Sequence, residues 1–220
     1  MILKTIEIPP KSSHTRTIIL MHGLGASGRD FEGIVPELHL PDNLGIHYVF
    51  PNAPIQPVTI NGGMKMRSWY DILNLSQNRA VNMADIYKSS KGIHLLIQKE
   101  MDKGILSKNI LLAGFSQGGA LALHTGLWFP HALVGILALS TYLPTLQMLK
   151  TEQSACNKNI PIMMAHGSFD PVIPIESAKE AYEKLAEMNY PIEWNEYPME
   201  HSLCMEEILK ISTFIQSVFK

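Results

Sequence analysis

Short apolar runs alternate with stretches of helical periodicity along most of this 220-residue chain. The runs RTIILM (16–21), IHYVFP (46–51), KNILLAGF (108–115), ALVGILALS (132–140), IPIMMAHG (160–167) and PIEWNEY (191–197) have strand length and strand composition. ILKTIEI (2–8) predicts one more short strand, ended by Pro9 and Pro10. Apolar residues three and four apart predict helices over 29–38, 76–102, 117–128, 174–188 and 203–219. Gly92 lies inside the second of these, as a break or a tolerated cost. The alternation from residue 46 onward predicts an α/β chain: a mostly parallel sheet with helices on both faces. The link between the first two strands is too short for a helix. It predicts an antiparallel strand pair at the N-terminal edge. Residues 51–73 follow neither period, and so long a loop in a compact domain is expected to line a site. Residues 141–158 are mixed, with room for a short helix over the fold. No repeat or low-complexity tract divides the chain, so residues 1–220 read as a single domain.

Composition narrows the partners. Eighteen Lys and Arg oppose twenty Asp and Glu, and no basic cluster runs along the chain. Phosphate backbones demand local positive charge, so no nucleic-acid partner is expected. Cys156 and Cys204 form no CxxC and no framework, which fits free thiols in a reducing compartment and leaves a single bridge as the alternative. The first residues lack a signal-peptide core, and no apolar run nears the roughly 20 residues of a membrane span. A cytoplasmic protein that is not transmembrane is the expectation. HExxH is absent and the histidines are scattered, so neither a metal nor a cofactor is expected.

The candidate chemistry sits in LLAGFSQGGALALHTGLWFP (111–130). Gly114-Phe-Ser116-Gln-Gly118 is a G-x-S-x-G pattern at a strand-to-helix junction. A serine on such a sharp turn exposes its hydroxyl above the sheet. The hydroxyl needs a base and the base needs a carboxylate, in the chain order serine, acid, histidine. Asp170, beyond the strand at 160–167, and His201, between the last strand and the last helix, satisfy that order. Two backbone amides would hold an oxyanion: that of Gln117 and that of Leu24 in the glycine-rich loop HGLGASGRDF. His22 in that loop is expected to support it rather than touch substrate. Gly23, Gly25 and Gly28 also spell a dinucleotide-binding G-x-G-x-x-G, but Asp42 supplies its acidic partner only loosely, and Ser116, Asp170 and His201 stay unexplained. Met64, Met66, Trp69, Leu73 and YLPTLQMLK (142–150) suit an apolar acyl groove about as well as a core.

Four segments together resemble the phospholipase/carboxylesterase family of small α/β-hydrolases: HGLGASGRDF, PNAPIQPVTINGGMKMRSWYDI, GFSQGGA, and HGSFDPVIP followed by HSLCMEE. They span residues 22–206. The family contains acyl-protein thioesterases and bacterial carboxylesterases, and the SWYD wording leans toward the latter. The resemblance implies an α/β-hydrolase fold with no large lid domain. It implies Ser116 as nucleophile, His201 as base, Asp170 as the orienting acid, and Leu24 and Gln117 at the oxyanion positions. Met66, Ser68 and Trp69 fall in a block that borders the active site, and Leu73 lies just beyond it. The implied activity is hydrolysis of carboxylic esters of short-to-medium acyl chains through an acyl-serine. A lysophospholipase or an acyl-protein thioesterase is the alternative, and a noncatalytic binding protein on the same fold is the rival outside enzymes. Expected partners are a small acyl ester or thioester, a lysophospholipid or an acylated protein, in a monomer or homodimer.

Overall fold

A computed structural model describes residues 2–74, 79–149 and 153–220. Its main sheet contains β1 (Thr5–Ile8), β2 (Arg16–Met21), β3 (Ile46–Pro51), β6 (Ile110–Phe115), β7 (Gly135–Leu139), β8 (Ile162–Gly167) and β9 (Ile192–Tyr197). A separate hairpin holds β4 (Ile55–Val58) and β5 (Met64–Arg67). The helices are α1 (Ile34–Glu37), α2 (Met83–Asp102), α3 (Gln117–Trp128), α4 (Ile175–Glu187) and α5 (Met205–Val218).

The sheet order is β1-β3-β2-β6-β7-β8-β9, and every pairing from β3 to β9 is parallel. Side chains alternate across it, so each central strand must bury apolar residues on both faces. In β6, Ile110 and Leu112 join the core beneath α2, α3 and α4, whereas Leu111 and Ala113 join the core beneath α1 and α5. α3 lies between the sheet and α2, and its residues from Gln117 to Leu127 are all buried. α2 instead buries one stripe, Ile86, Ser89, Ser90, Ile93, Leu96, Ile97 and Glu100, with its start capped by the Asn82 side chain.

The order reverses at β2. The chain leaves β2 toward β3 on one side and later returns to β6 on the other. Loops after β2 and β6 therefore diverge at the carboxyl ends of these two strands, the position where open parallel sheets place their ligand crevice.

Several expectations are corrected. The antiparallel edge exists, but β1 pairs with β3, while β2 lies inside the sheet parallel to β3. A short link forbids a helix without forcing its two strands to be neighbours. The helix expected over 76–102 starts at Met83 among the described residues. Val81 forms a bridge to Ile72, and the Leu73 amide donates to the Ala80 carbonyl, so this stretch is extended. Residues 76–78 lie outside the described residues. Gly92 does not break α2; a Cβ there would come within 3.1 Å of Leu3, so it admits that side chain. The segment 29–38 divides into a 3-10 turn (Gly28–Phe31) and the short α1. The segment 51–73 contains the β4–β5 hairpin, and 141–158 holds 3-10 turns at Leu146–Met148 and Ala155–Asn157. Lys150, the end of the expected acyl-groove segment, lies outside the described residues. Cys156 and Cys204 are free thiols. Among the described residues no helix is long and apolar enough to cross a membrane.

One buried acid has a consequence for stability. Glu207, in the first turn of α5, is fully buried, and neither carboxyl oxygen makes a well-formed hydrogen bond. Burial pushes its carboxyl up to about 8, with the Cys204 backbone amide offsetting only part of this. The folded state then favours the protonated acid. Its stabilisation is complete below the unfolded pKa near 4.5 and is lost as pH rises through about 8. Glu207→Gln removes this dependence. Thermal unfolding followed from pH 4.5 to 8 is expected to show the variant gaining on the parent by a few kcal/mol across that window; parallel curves would contradict the burial argument.

Candidate active site

The chain turns most sharply where β6 becomes α3. Ser116 has φ 55° and ψ −122°, a region non-glycine residues avoid. Its surroundings hold it there. The Ser116 amide donates to the Leu139 carbonyl at 2.8 Å. Its carbonyl accepts from Gly119 N at 3.0 Å, Ala120 N at 3.2 Å and Thr141 Oγ1 at 2.7 Å. The two flanking glycines are required by contact. A Cβ at Gly114 would lie 2.2 Å from the Gly118 carbonyl oxygen, and one at Gly118 would lie 2.1 Å from that of Met21. The glycines let α3 start against the end of β2. Ser116 remains 8% exposed, and its hydroxyl makes no hydrogen bond among the described residues.

Asp170 and His201 meet by a similar close approach. A Cβ on Gly167, the last residue of β8, would lie 2.4 Å from the carbonyl oxygens of Met199 and Glu200. The loop after β9 therefore crosses directly over the end of β8. The Phe169 amide fastens it by donating to the Met199 carbonyl at 3.0 Å. The Asp170 carboxylate is fully buried. Its Oδ1 accepts from the amides of Val172 (2.8 Å) and Ile173 (2.9 Å), and its Oδ2 accepts from His201 Nδ1 at 2.6 Å. This fixes the His201 proton on Nδ1 and leaves Nε2 with a lone pair. The imidazole lies against the Phe115 ring, centroids 4.8 Å apart, beside the residue that precedes Ser116.

His166 forms a second layer under the acid. Its Nε2 donates to the Ile173 carbonyl at 3.0 Å and lies 3.4 Å from Asp170 Oδ2. Burial lowers its pKa, so the ring is neutral, and it stacks on Trp194. The ring buttresses the acid's loop, a role that no sequence spacing signals.

The glycine-rich loop reaches Ser116 from the other strand. A Cβ on Gly23 would lie 3.3 Å from Ser116 Cβ. His22 is fully buried; its Nε2 accepts from the Ala53 amide at 3.0 Å, so its Nδ1–H donates to the Gly23 carbonyl at 2.7 Å. Burial lowers this histidine's pKa too. His22 supports the loop, as expected. Gly25, with φ 77°, donates its amide to the Arg67 carbonyl at 2.8 Å. The amides of Leu24 and Gln117 are left without a partner among the described residues.

The Gln117 side chain carries a function that its motif position did not reveal. Its Oε1 accepts from the Trp69 amide at 2.8 Å, and its Nε2 donates to the Tyr70 carbonyl at 2.7 Å and Ser68 Oγ at 3.1 Å. The start of α3 is thereby joined to the segment after β5. Ser68 and Trp69, expected beside substrate, are fully buried. They meet the site through Gln117 and through the bond from Trp69 Nε1 to the His22 carbonyl at 2.8 Å. Met66 is partly buried, and Leu73 is 45% exposed. Tyr142, Leu143, Pro144 and Leu146, from the expected acyl segment, line a groove of about 350 Å³ with Arg79.

A serine held at positive φ on a strand-to-helix turn, in a seven-stranded doubly covered sheet, defines an α/β-hydrolase. The sequence profile described as Phospholipase/Carboxylesterase matches residues 4–219, and the chain belongs to that family. It is thus an enzyme of an esterase and thioesterase class of serine hydrolases. The chain is 39% identical to acyl-protein thioesterase 1 of Neurospora crassa, covering 94% of this chain and 89% of that protein. It is 38% identical to acyl-protein thioesterase 1 of Mycosarcoma maydis, covering 99% and 98%. Among solved structures, Arabidopsis thaliana SOBER1 superposes with a TM-score of 0.89 at 30% identity, over 94% of this chain and 100% of that one.

Crowding at the turn makes a direct prediction. Gly118→Ala would force its new methyl into the Met21 and His22 carbonyls at the end of β2. Thermal or urea unfolding is expected to show a loss of about 1–3 kcal/mol. An unchanged midpoint would mean that the turn has slack.

Proposed function

We propose that this chain hydrolyses long-chain acyl thioesters, of the kind formed by acylated protein cysteines, through a Ser116 acyl-enzyme. The reading rests foremost on the 2.6 Å bond from His201 to buried Asp170, on the same sheet edge as the strained Ser116. Further support comes from relatives that carry the thioesterase name across nearly the full chain.

In the reaction, His201 Nε2 takes the Ser116 proton as Oγ bonds to the acyl carbonyl carbon. The amides of Leu24 and Gln117 donate to the oxyanion, a contribution typically worth about 3 kcal/mol for each donor. Collapse breaks the carbon–sulfur bond, and His201 gives its proton to the leaving thiolate. Water then enters and His201 accepts one of its protons. The hydroxide adds to the acyl-serine, and the carboxylic acid leaves as Ser116 regains its proton. Asp170 holds the imidazole in its useful tautomer through the bond from His201 Nδ1. Apo hydrogen bonds of such sites are commonly long and tighten with substrate, so the free Ser116 hydroxyl fits this sequence.

The long chain is inferred from exposed apolar residues on two segments that adjoin the site: the hairpin region, tied to the glycine-rich loop by the bond from the Gly25 amide to the Arg67 carbonyl, and the Asp170 loop. Ile55 and Met64 on the hairpin, Leu73 after it, and Phe169 and Val172 on either side of Asp170 are each 45% or more exposed. They offer an open apolar rim rather than a closed pocket. Each methylene buried there would contribute about 0.8 kcal/mol, up to roughly fourfold in kcat/KM. Short-to-medium oxyesters would react by the same steps with an alcohol leaving, and lysophospholipids fall in that class.

Matched acyl-thioester and oxyester series, with Ser116→Ala as control, test the proposal. The expected result is kcat/KM that rises with chain length and is higher for thioesters. The variant should lose about 10³-fold or more of turnover and all fluorophosphonate labelling while unfolding at the same temperature. Activity retained by Ser116→Ala would overturn the serine mechanism. A short-chain oxyester preference would overturn the thioesterase assignment alone.

A further inference from the structure

Three side chains far apart in sequence converge at the opposite edge of the sheet. Thr17 and His47 are register partners at the amino ends of β2 and β3, and both face the last turns of α2, where Glu100 lies. His14 joins them from the segment that enters β2. Glu100 Oε2 lies 3.0 Å from His47 Nδ1, 3.4 Å from His14 Nε2 and 3.0 Å from Thr17 Oγ1. The three ligand atoms, two imidazole nitrogens and one carboxylate oxygen, fall within 4.8 Å of one another. The Glu100 and His47 side chains are 2% and 7% exposed, and that of His14 is 23% exposed, at the solvent side.

We propose that His14, His47 and Glu100 form a structural binding site for a zinc-type divalent cation that ties β2, β3 and α2 together. Metal bonds of about 2.0–2.2 Å put neighbouring ligand atoms about 3.3–3.5 Å apart in a tetrahedron, and a small movement of these side chains reaches that spacing. Two imidazoles with one carboxylate select a borderline metal; calcium and magnesium require shells made of oxygen.

The surroundings supply the outer partners such a site needs. Glu7 Oε2 lies 3.2 Å from His47 Nε2, the ring nitrogen opposite the ligating one. When the metal takes the Nδ1 lone pair, the ring proton sits on Nε2 and Glu7 accepts it, which orients the ring and raises its basicity. Lys99 Nζ holds the other Glu7 oxygen at 3.0 Å, and Lys103 Nζ holds Glu100 Oε1 at 2.6 Å, while Oε2, which accepts from Thr17 Oγ1, faces both imidazoles. The fourth position faces solvent beside His14 and takes water. Because the cluster lies at the amino ends of strands whose carboxyl ends carry the Ser116 crevice, the metal acts on stability and not on the acyl group.

The test uses the full chain, stripped with a chelator and titrated with zinc chloride in a calorimeter, with cobalt(II) absorption reporting coordination geometry. One equivalent is expected to bind, raise the unfolding temperature and give the spectrum of a tetrahedral site. His14→Ala should abolish binding, Glu7→Ala should weaken it about 10–100-fold, and the exposed His39→Ala should leave it unchanged. If His14→Ala fails to fold, a zinc-soaked crystal of the parent protein decides: an anomalous peak among residues 14, 47 and 100 supports the site. No stoichiometric binding, binding that survives His14→Ala, or a peak elsewhere would overturn it and leave a metal-free ion-pair network.

Discussion

The backbone at Ser116 governs this molecule. A positive φ at a non-glycine residue costs on the order of 1–3 kcal/mol and persists only where neighbours determine it. Here the neighbours are the two strands on either side of β6. β7 contributes the Leu139 carbonyl, and the segment just after it contributes Thr141 Oγ1. The end of β2 contributes the Met21 carbonyl and the next residue the His22 carbonyl, against which only a glycine at 118 fits. The turn is therefore not a local feature of five residues. It is possible because a parallel sheet brings three strand ends level, and it exposes the one hydroxyl to the crevice where the chain changes direction.

The same crowding organises what surrounds the serine. Gly23 passes beside Ser116 Cβ, and His22 bends the loop so that the Leu24 amide stays free. Gln117 supplies an unpaired amide with its backbone while its side chain holds Trp69 and Tyr70. Gly167 lets the His201 loop cross the end of β8, so the imidazole reaches Asp170. At each of these places a glycine or a buried amide fixes a backbone path, and the reactive groups follow from it. A site of this kind is prepared by the folded state before substrate arrives.

Much of this was legible in the sequence because the signals were local. β2 and β3 are apolar runs with sharp ends, and α3 follows a glycine-rich turn; each lies within the residues that pattern indicated. The meeting of Asp170 and His201 was legible because each follows a strand, and parallel strands deliver their ends to one edge. Strand pairing was not legible in the same way: β1 chooses β3 over β2, a matter of which neighbour the sheet leaves open. The hairpin within 51–73 was hidden by Pro57 and by glycines that obscure alternation. Ser68 and Trp69 read as a site border, yet burial gives them a supporting part, because adjacency in a motif does not say which way a side chain faces. The trio at residues 14, 47 and 100 has no motif spacing at all. Only strand register and the direction of α2 bring it together.

The central claim is that Ser116, His201 and two amides act on one carbonyl. A crystal structure of the protein after reaction with a fluorophosphonate tests it most directly. The account predicts phosphorus bonded to Ser116 Oγ and a phosphonyl oxygen about 2.7–3.1 Å from the amide nitrogens of Leu24 and Gln117, with His201 Nε2 facing Oγ. An adduct on another residue would contradict it. So would a Ser116 adduct whose oxygen points to solvent while the imidazole is turned away.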